Sequence, residues 1–267
     1  MKSLAEQSVP ELGGRLSVLH RQKRDHVKLD RLLHRLAEAS PPEQARVLRK
    51  IYRLVFPHAF AEEALLWPVI RRVLPDGHAL TLRVEQEHQA INELVTRLEA
   101  LAPGSAAHEV VLAQVVDLLS QDVRDEEDAL LPRLQDRLSL NQLRLLGVAW
   151  EAVRQIAPTR AHPIVSRRPP GNVLSALPLA LVDRCRDLVD GLIDGGPDAA
   201  AAPLRALSAG LTATSHGIER LPGLRRGEDP STRIGRRSRG GWAVVAVAAL
   251  AAGAAALKLS QRKRASA

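Results

Sequence analysis

A single cysteine, Cys185, stands among 267 residues. It excludes an internal disulfide framework and any zinc or iron–sulfur site built on several thiolates. Aromatic residues are nearly as scarce, at 2%, and leucine, alanine, valine and arginine dominate instead, a profile suited to packed helices rather than sheets. The opening stretch MKSLAEQSVPELGG has one lysine but no apolar core after it, so nothing there resembles a signal peptide; the bulk of the chain is expected in the cytoplasm. The first half also lacks the basic excess of a nucleic-acid surface. Residues 1–140 hold 19 Lys/Arg against 21 Asp/Glu, whereas residues 141–267 hold 19 against 9. No specific nucleic-acid partner is expected.

What is present is apolar spacing at a period of 3.6, punctuated by helix stops. The pattern predicts helices over 12–39, 43–74, 78–101 and 106–138, separated by Ser40-Pro41-Pro42, Pro75-Asp76-Gly77 and Pro103-Gly104-Ser105. Loops this short force antiparallel neighbours, so the expected fold is all-α, an up-down-up-down four-helix bundle over residues 14–138. Pro57, Pro68 and Pro132 fall inside these helices and should kink them or end the regular turn.

The two halves of this bundle repeat. HAFAEEALLWPVI (58–70) aligns without a gap on DVRDEEDALLPRL (122–134), and RDHVKLDRLLHRL (24–36) matches QEHQAINELVTRL (86–98). Each copy has an acid before a histidine, Asp25-His26 and Glu87-His88, and each has a Glu-Glu pair. Counted from the loops at roughly 1.5 Å per residue, His26, His58, Glu62, His88, Asp122 and Glu126 fall within about one helical turn of the same height. His58/Glu62 and Asp122/Glu126 are i,i+4 pairs and share one face each. Three histidines and three carboxylates from four helices can therefore converge on one layer. Buried, they need a partner. A metal ion is an efficient one, and nitrogen and oxygen ligands without thiolate point to iron or manganese rather than zinc. Six such side chains suit two ions bridged by Glu62 and Glu126.

These motif pieces, His26, His58-x-x-x-Glu62-Glu63, Glu87-His88 and Asp122-x-x-x-Glu126-Glu127 with Leu-x-Pro after each Glu-Glu, resemble the hemerythrin or HHE cation-binding domain over about residues 14–138. The resemblance implies a non-haem centre of two irons per chain that binds O2 or related small oxidants. It also implies His26, His58, Glu62, His88 and Glu126 as metal ligands, and it would place a histidine at 122. Aspartate there is shorter and anionic, still offers a hard oxygen ligand, and should favour ferric iron. Val84 stands where the animal oxygen carrier has a second histidine on that helix, so reversible O2 carriage is not expected. No catalytic side chain or organic cofactor is assigned. The ligand expected is a small diatomic or a peroxide, bound, sensed or consumed. Iron storage without turnover and a metal-free interaction scaffold are the rival readings.

Glu63, Glu127, Asp125 and Asp128 read as solvated, with supporting roles behind the ligands open to them; Asp30 and Asn92 read as supporting groups or polar filler, and Trp67 as core packing. His20, His34, His78, His108, His162 and His216 are expected to take no part in the site. Beyond the bundle, residues 139–222 read as a helical extension, with helices over 141–158, 176–193 and 201–220 and a Pro- and Arg-rich extended linker at 159–172. TRAHPIVSRRPPGN (159–172) and the following LVDRCRDLVDGL (181–192) are similar to an extension on actinobacterial members of the same family. Residues 223–240 read as a disordered basic linker. The uncharged run GWAVVAVAALAAGAAAL (241–257) reads as a transmembrane helix over 241–259, followed by a basic tail at 260–267. The expected placement is thus a single C-terminal membrane anchor, with Ala249-x-x-x-Gly253 permitting homodimer pairing of that helix.

Overall fold

The structure, a computed structural model, describes residues 2–233. Nine α-helices are found among them, with two π turns, three short 3-10 turns and no strand. Helices α1 (Val18–Glu38) and α2 (Pro41–Ala61) are followed by a π turn (Glu62–Leu66) and α3 (Trp67–Val73). Helices α4 (Gly77–Glu99) and α5 (Ala106–Asp125) are followed by a second π turn (Glu126–Leu130) and α6 (Leu131–Gln135). The extension adds α7 (Leu140–Ile156), α8 (Gly171–Gly195) and α9 (Asp198–Glu219).

Helix starts follow from the residues at them. Ser17, Ser105 and Ser139 each accept a hydrogen bond from a backbone N–H in the first turn of α1, α5 and α7, and Glu43 reaches back to the N–H of Ser40 ahead of α2. The first helix begins at 18 rather than the expected 12, because Gly13 and Gly14 adopt φ of 90° and 88°, conformations that no helix accommodates. Pro68 and Pro132 fall one residue into the α-turns that follow the two π turns. The π turn shifts the hydrogen-bond register just where proline would otherwise leave a carbonyl unmatched and clash with the preceding turn.

Helix α1 packs on α2 and α4 on α5, with α3 against α4. The apolar core falls into two blocks. One gathers Val18, Leu19, Leu66, Trp67, Ile70, Val84, Leu130 and Leu134. The other gathers Leu29, Leu36, Ile51, Phe56, Ile91, Val95, Val115 and Leu119. On every bundle helix the sequence positions between the two blocks belong to the histidine and carboxylate layer.

The extension is part of this packing. Helix α7 lies on α1 and α2 and buries Trp150 fully. Gly147 makes that approach possible, since a Cβ there would stand 2.0 Å from the carbonyl oxygen of Leu16. Helices α8 and α9 form a hairpin of 25 and 22 residues, longer than the short helices expected. Residues 159–172 are not a free spacer. Thr159, Arg160, His162, Ser166 and Arg167 are all buried. His162 sits between Asp183 Oδ2 at 3.0 Å and Glu219 Oε1 at 2.9 Å, tying the segment to α8 and α9 at once. Part of the expected disordered linker is likewise ordered: Ser166 N–H donates to the carbonyl of Leu224, and Arg225 and Arg233 both pair with Glu228. The remainder of that linker, the expected span at 241–259 and the tail lie outside the described residues. Among the described residues no helix is long and apolar enough to cross a membrane.

Two glycines separate close approach from mere helix interior. Gly147→Ala should destabilise the protein by about 2 kcal/mol, as overpacking against backbone does. Gly210→Ala on α9, with nothing near its Cβ position, should stabilise that helix by up to about 1 kcal/mol. Urea unfolding of the two variants checks both signs.

Candidate metal centre

All six expected residues meet in the layer between the two core blocks. His26 comes from α1, His58 from α2, His88 from α4 and Asp122 from α5, while Glu62 and Glu126 open the two π turns. The Nε2 atoms of the three histidines turn inward. His26 Nε2 is 3.3 Å from His58 Nε2 and 3.2 Å from Glu126 Oε2. His58 Nε2 is 3.1 Å from Glu62 Oε1. His88 Nε2 faces Asp122 Oδ1 at 3.5 Å, Glu62 Oε2 at 3.7 Å and Glu126 Oε1 at 3.8 Å. Each glutamate thus puts one oxygen beside a histidine of the first hairpin and the other beside His88. Two groups of ligand atoms lie within 4.8 Å of one another, His26 with His58 and Glu126, and Glu62 with His88 and Glu126. Glu126 belongs to both.

Two of the outer nitrogens are held by carboxylates and the third faces one. His26 Nδ1 donates to Glu127 Oε1 at 2.9 Å and His88 Nδ1 donates to Glu63 Oε1 at 3.0 Å. His58 Nδ1 faces Asp25 Oδ2 at 3.6 Å. Carboxylates behind imidazoles fix ring orientation and leave Nε2 free for a cation. The pairing crosses between the repeats: the acid of the second hairpin holds the histidine of the first, and the reverse. Glu63 and Glu127, expected in solvent, are buried at 1% and 8% exposure. The π turn explains the correction, because its wider pitch brings two successive residues toward the interior where an α-turn would bring one. Asn92 is buried and donates to the carbonyl of His88, whereas Asp30 is exposed and accompanies His34. Trp67 is core, as expected, and lies roughly parallel to the His88 ring at 6.2 Å.

Sequence reasoning missed three contributors. Asp25 was visible as the acid before His26, but its part in holding His58 depends on how α1 meets α2. Trp150, edge-on to His58 at 5.2 Å, and Arg154, over that indole at 5.4 Å, come from α7, outside the repeat, and no spacing signalled them. The repeat also shows what Asp122 changes. Glu87 stands in the second copy where Asp25 stands in the first, so an acid faces Asp122 instead of an imidazole. Burial, then the charges of Asp122 and Asp125, push the Glu87 carboxyl up to about 7.

Several oxygens of the layer are buried without hydrogen bonds. They include Glu62 Oε1 and Oε2, Glu126 Oε1 and Asp122 Oδ1, a costly arrangement unless something positive lies between them. Burial and then the neighbouring charge of Glu126 push Glu62 up; burial also pushes Asp122 up, with Glu126 adding to it. Burial works against the charged form of His26, but Glu126 and Glu127 overcome it and hold the imidazole at about 9. His58 is likewise opposed by burial and raised by Glu62 and Asp25 to about 10. Protons thus bind where a metal would displace them. The donor set of imidazole nitrogen and carboxylate oxygen, the orphaned oxygens and the oriented rings fit metal ions. Against the layer lies a cavity of about 30 Å³ floored by His26, His58, His88 and Asp122 and walled by Leu29, Leu54, Phe56, Ile91 and Leu119. It has room for a water or a diatomic molecule.

A helical bundle with a buried layer of histidines and carboxylates defines the class as a metal-binding four-helix domain. Residues 17–134 match the hemerythrin HHE cation binding domain, so this segment is hemerythrin-like, with histidine and glutamate groups that could hold a metal. Over 134 residues the chain is 22% identical to an uncharacterized hemerythrin-like protein of Schizosaccharomyces pombe, covering 50% of this chain and 66% of that one. Over 131 residues it is 26% identical to a DNA nickase of Nostoc sp., covering 49% of this chain and 37% of that one. The chain thus spans less than two thirds of either relative. No solved structure matches it significantly.

The pKa shifts fix how the metal-free protein responds to pH. Stability contributed by raised His26 and His58 is fully present below the ordinary imidazole value of 6.5 and is lost as pH climbs through about 9 and 10. The Asp25 carboxyl, which burial pushes up but His58 and Arg154 hold down at about 2, contributes stability above its ordinary 3.8 that is lost as pH falls toward 2. Glu87, held up at about 7, adds a loss of stability as pH climbs from its ordinary 4.5, so melting temperatures of chelator-treated protein should be highest between pH 3.8 and 4.5 and fall on both sides. His58→Ala should shrink the alkaline decline.

Proposed function

We propose that the layer holds non-haem iron, two ions per chain, and that the protein binds a small diatomic or peroxide there in order to sense or consume it. The observation that carries this reading is the disposition of Glu62 and Glu126, each reaching from a first-hairpin histidine to His88, with buried oxygens that make no hydrogen bond. His26, His58, Glu62, His88, Asp122 and Glu126 would be the ligands. When bound, the metal pair would supply redox chemistry toward O2, peroxide or nitric oxide.

The chain's own residues define how that chemistry would be contained. Glu127 and Glu63 hold the imidazoles of His26 and His88 with Nε2 inward, and Asp25 faces that of His58. Leu29, Phe56, Ile91 and Leu119 keep the cavity apolar, which favours a small uncharged ligand over bulk water. Trp67 and Trp150 close the rings of His88 and His58 from the outside. Asp122 adds a negative charge where the family pattern has a histidine, which favours the ferric state and disfavours reversible O2 carriage. The near-balanced charge of residues 1–140 gives no reason to carry the nickase activity to this chain, which spans 37% of that relative. A tether through residues 241–259, with the domain on the cytoplasmic side, belongs to the same reading and would show as detergent-dependent release from membranes.

Metal analysis of full-length protein from iron-fed cells tests the centre. Two irons per chain, with an optical band that changes on exposure to O2 or peroxide, are expected; iron without such a response would favour storage, and no iron a metal-free scaffold. Glu126→Ala should lose most of the bound iron. Asp122→His should shift the optical spectrum or reduction potential, and an unchanged spectrum would remove Asp122 from the ligand set.

A further inference from the structure

Behind two of the three carboxylates that orient imidazoles stands an arginine from beyond the bundle. Arg154 Nη1 is 3.6 Å from Asp25 Oδ2. Arg167, in the segment between α7 and α8, brings Nη1 to 3.8 Å from Glu63 Oε2, while the other oxygen of Glu63 is the one that accepts from His88. Arg167 is buried at 9% exposure and is aimed from within its own segment: Nη2 donates to the carbonyls of His162 at 2.7 Å and Val165 at 3.0 Å.

The same segment reaches the His88 turn by a second route. His162 N–H donates to Asn92 Oδ1 at 2.8 Å, and the amide nitrogen of Asn92 donates to the carbonyl of His88 at 2.8 Å. His162 itself is clamped by Asp183 and Glu219. One short stretch, fixed at both ends, therefore contacts His88 through its ring partner and through its backbone. A buried guanidinium needs a counter-charge, and here that counter-charge is a carboxylate whose task is to aim an imidazole.

We propose that Arg167 is a positioning residue of the metal centre. Paired with Arg167, Glu63 stays turned toward His88, so that His88 keeps Nδ1–H on Glu63 and its Nε2 lone pair toward the cation. The inference rests on the metal-binding reading above and extends the centre into residues 158–168, outside the matched domain.

The test uses the full-length chain and anaerobic Fe2+, with affinity measured by chelator competition. Arg167→Gln should weaken Fe2+ binding about tenfold, the low end of what loss of a group behind a ligand does. Arg167→Lys, which keeps the charge but loses the fork that aims it, should recover part of that loss. The double variant Glu63→Gln/Arg167→Gln should bind no more weakly than Glu63→Gln alone, because the arginine acts through that carboxylate. The visible spectrum of Co2+-loaded protein, which reports ligand geometry, should change in Arg167→Gln and return in part in Arg167→Lys. If wild type takes up iron while Arg167→Gln binds it equally, or if the two losses simply add, the inference is overturned and the metal reading stands. If wild type takes up neither ion, the metal reading falls and this inference with it.

Discussion

Three imidazoles and three carboxylates lie between two blocks of packed aliphatic side chains, and the rest of the molecule is arranged to make that tolerable. Polar groups at such depth are stable only when oriented and paired. The outer nitrogens of His88 and His26 are satisfied by Glu63 and Glu127, and that of His58 faces Asp25 at 3.6 Å without a hydrogen bond. The inner nitrogens and the oxygens of Glu62, Glu126 and Asp122 converge on one another, and several of those oxygens make no hydrogen bond. Those oxygens without a hydrogen bond suit the layer to hold a cation, where a structural ion network would leave none. His162, buried between Asp183 and Glu219, shows the contrast: there one imidazole is matched on both sides and little is left to bind.

The π turns solve a geometric problem created by the Glu-Glu pairs. On a regular helix the second glutamate of each pair would rotate away from the layer. The wider turn brings both inside, one toward the cation position and one onto the histidine of the opposite hairpin. The proline two residues beyond each π turn suits this register shift. Because the interlock is reciprocal, neither hairpin can complete its histidines alone. Replacement of histidine by Asp122 breaks the symmetry at one point, leaving Glu87 opposite an acid and concentrating negative charge on that side of the layer.

The extension closes what the bundle leaves open. Helix α7 seals the His58 side with Trp150, and the segment after it approaches the His88 side. Pro- and Arg-rich sequence suggests an extended, solvated spacer, yet here the arginines are consumed by partners: Arg160 by Asp187 and Asp190, Arg167 by backbone carbonyls and Glu63, Arg168 by Glu85. The acids named lie 27 to 104 residues away in sequence, so no local pattern could reveal them.

Helix periods, loop stops and the internal repeat are local properties, and from them the sequence by itself determined the all-helical class and the common height of His26, His58, Glu62, His88, Asp122 and Glu126. Helix rise is nearly constant, so counting residues from a loop is enough to find depth. Rotation about the helix axis is not constant where a π turn intervenes, and for that reason the burial of Glu63 and Glu127 was decided only by tertiary structure. The same holds for Asp25 behind His58, for Trp150 and for Arg167: their roles arise where separate helices meet, and contact across a packed interface depends on angles and offsets that residue spacing does not carry.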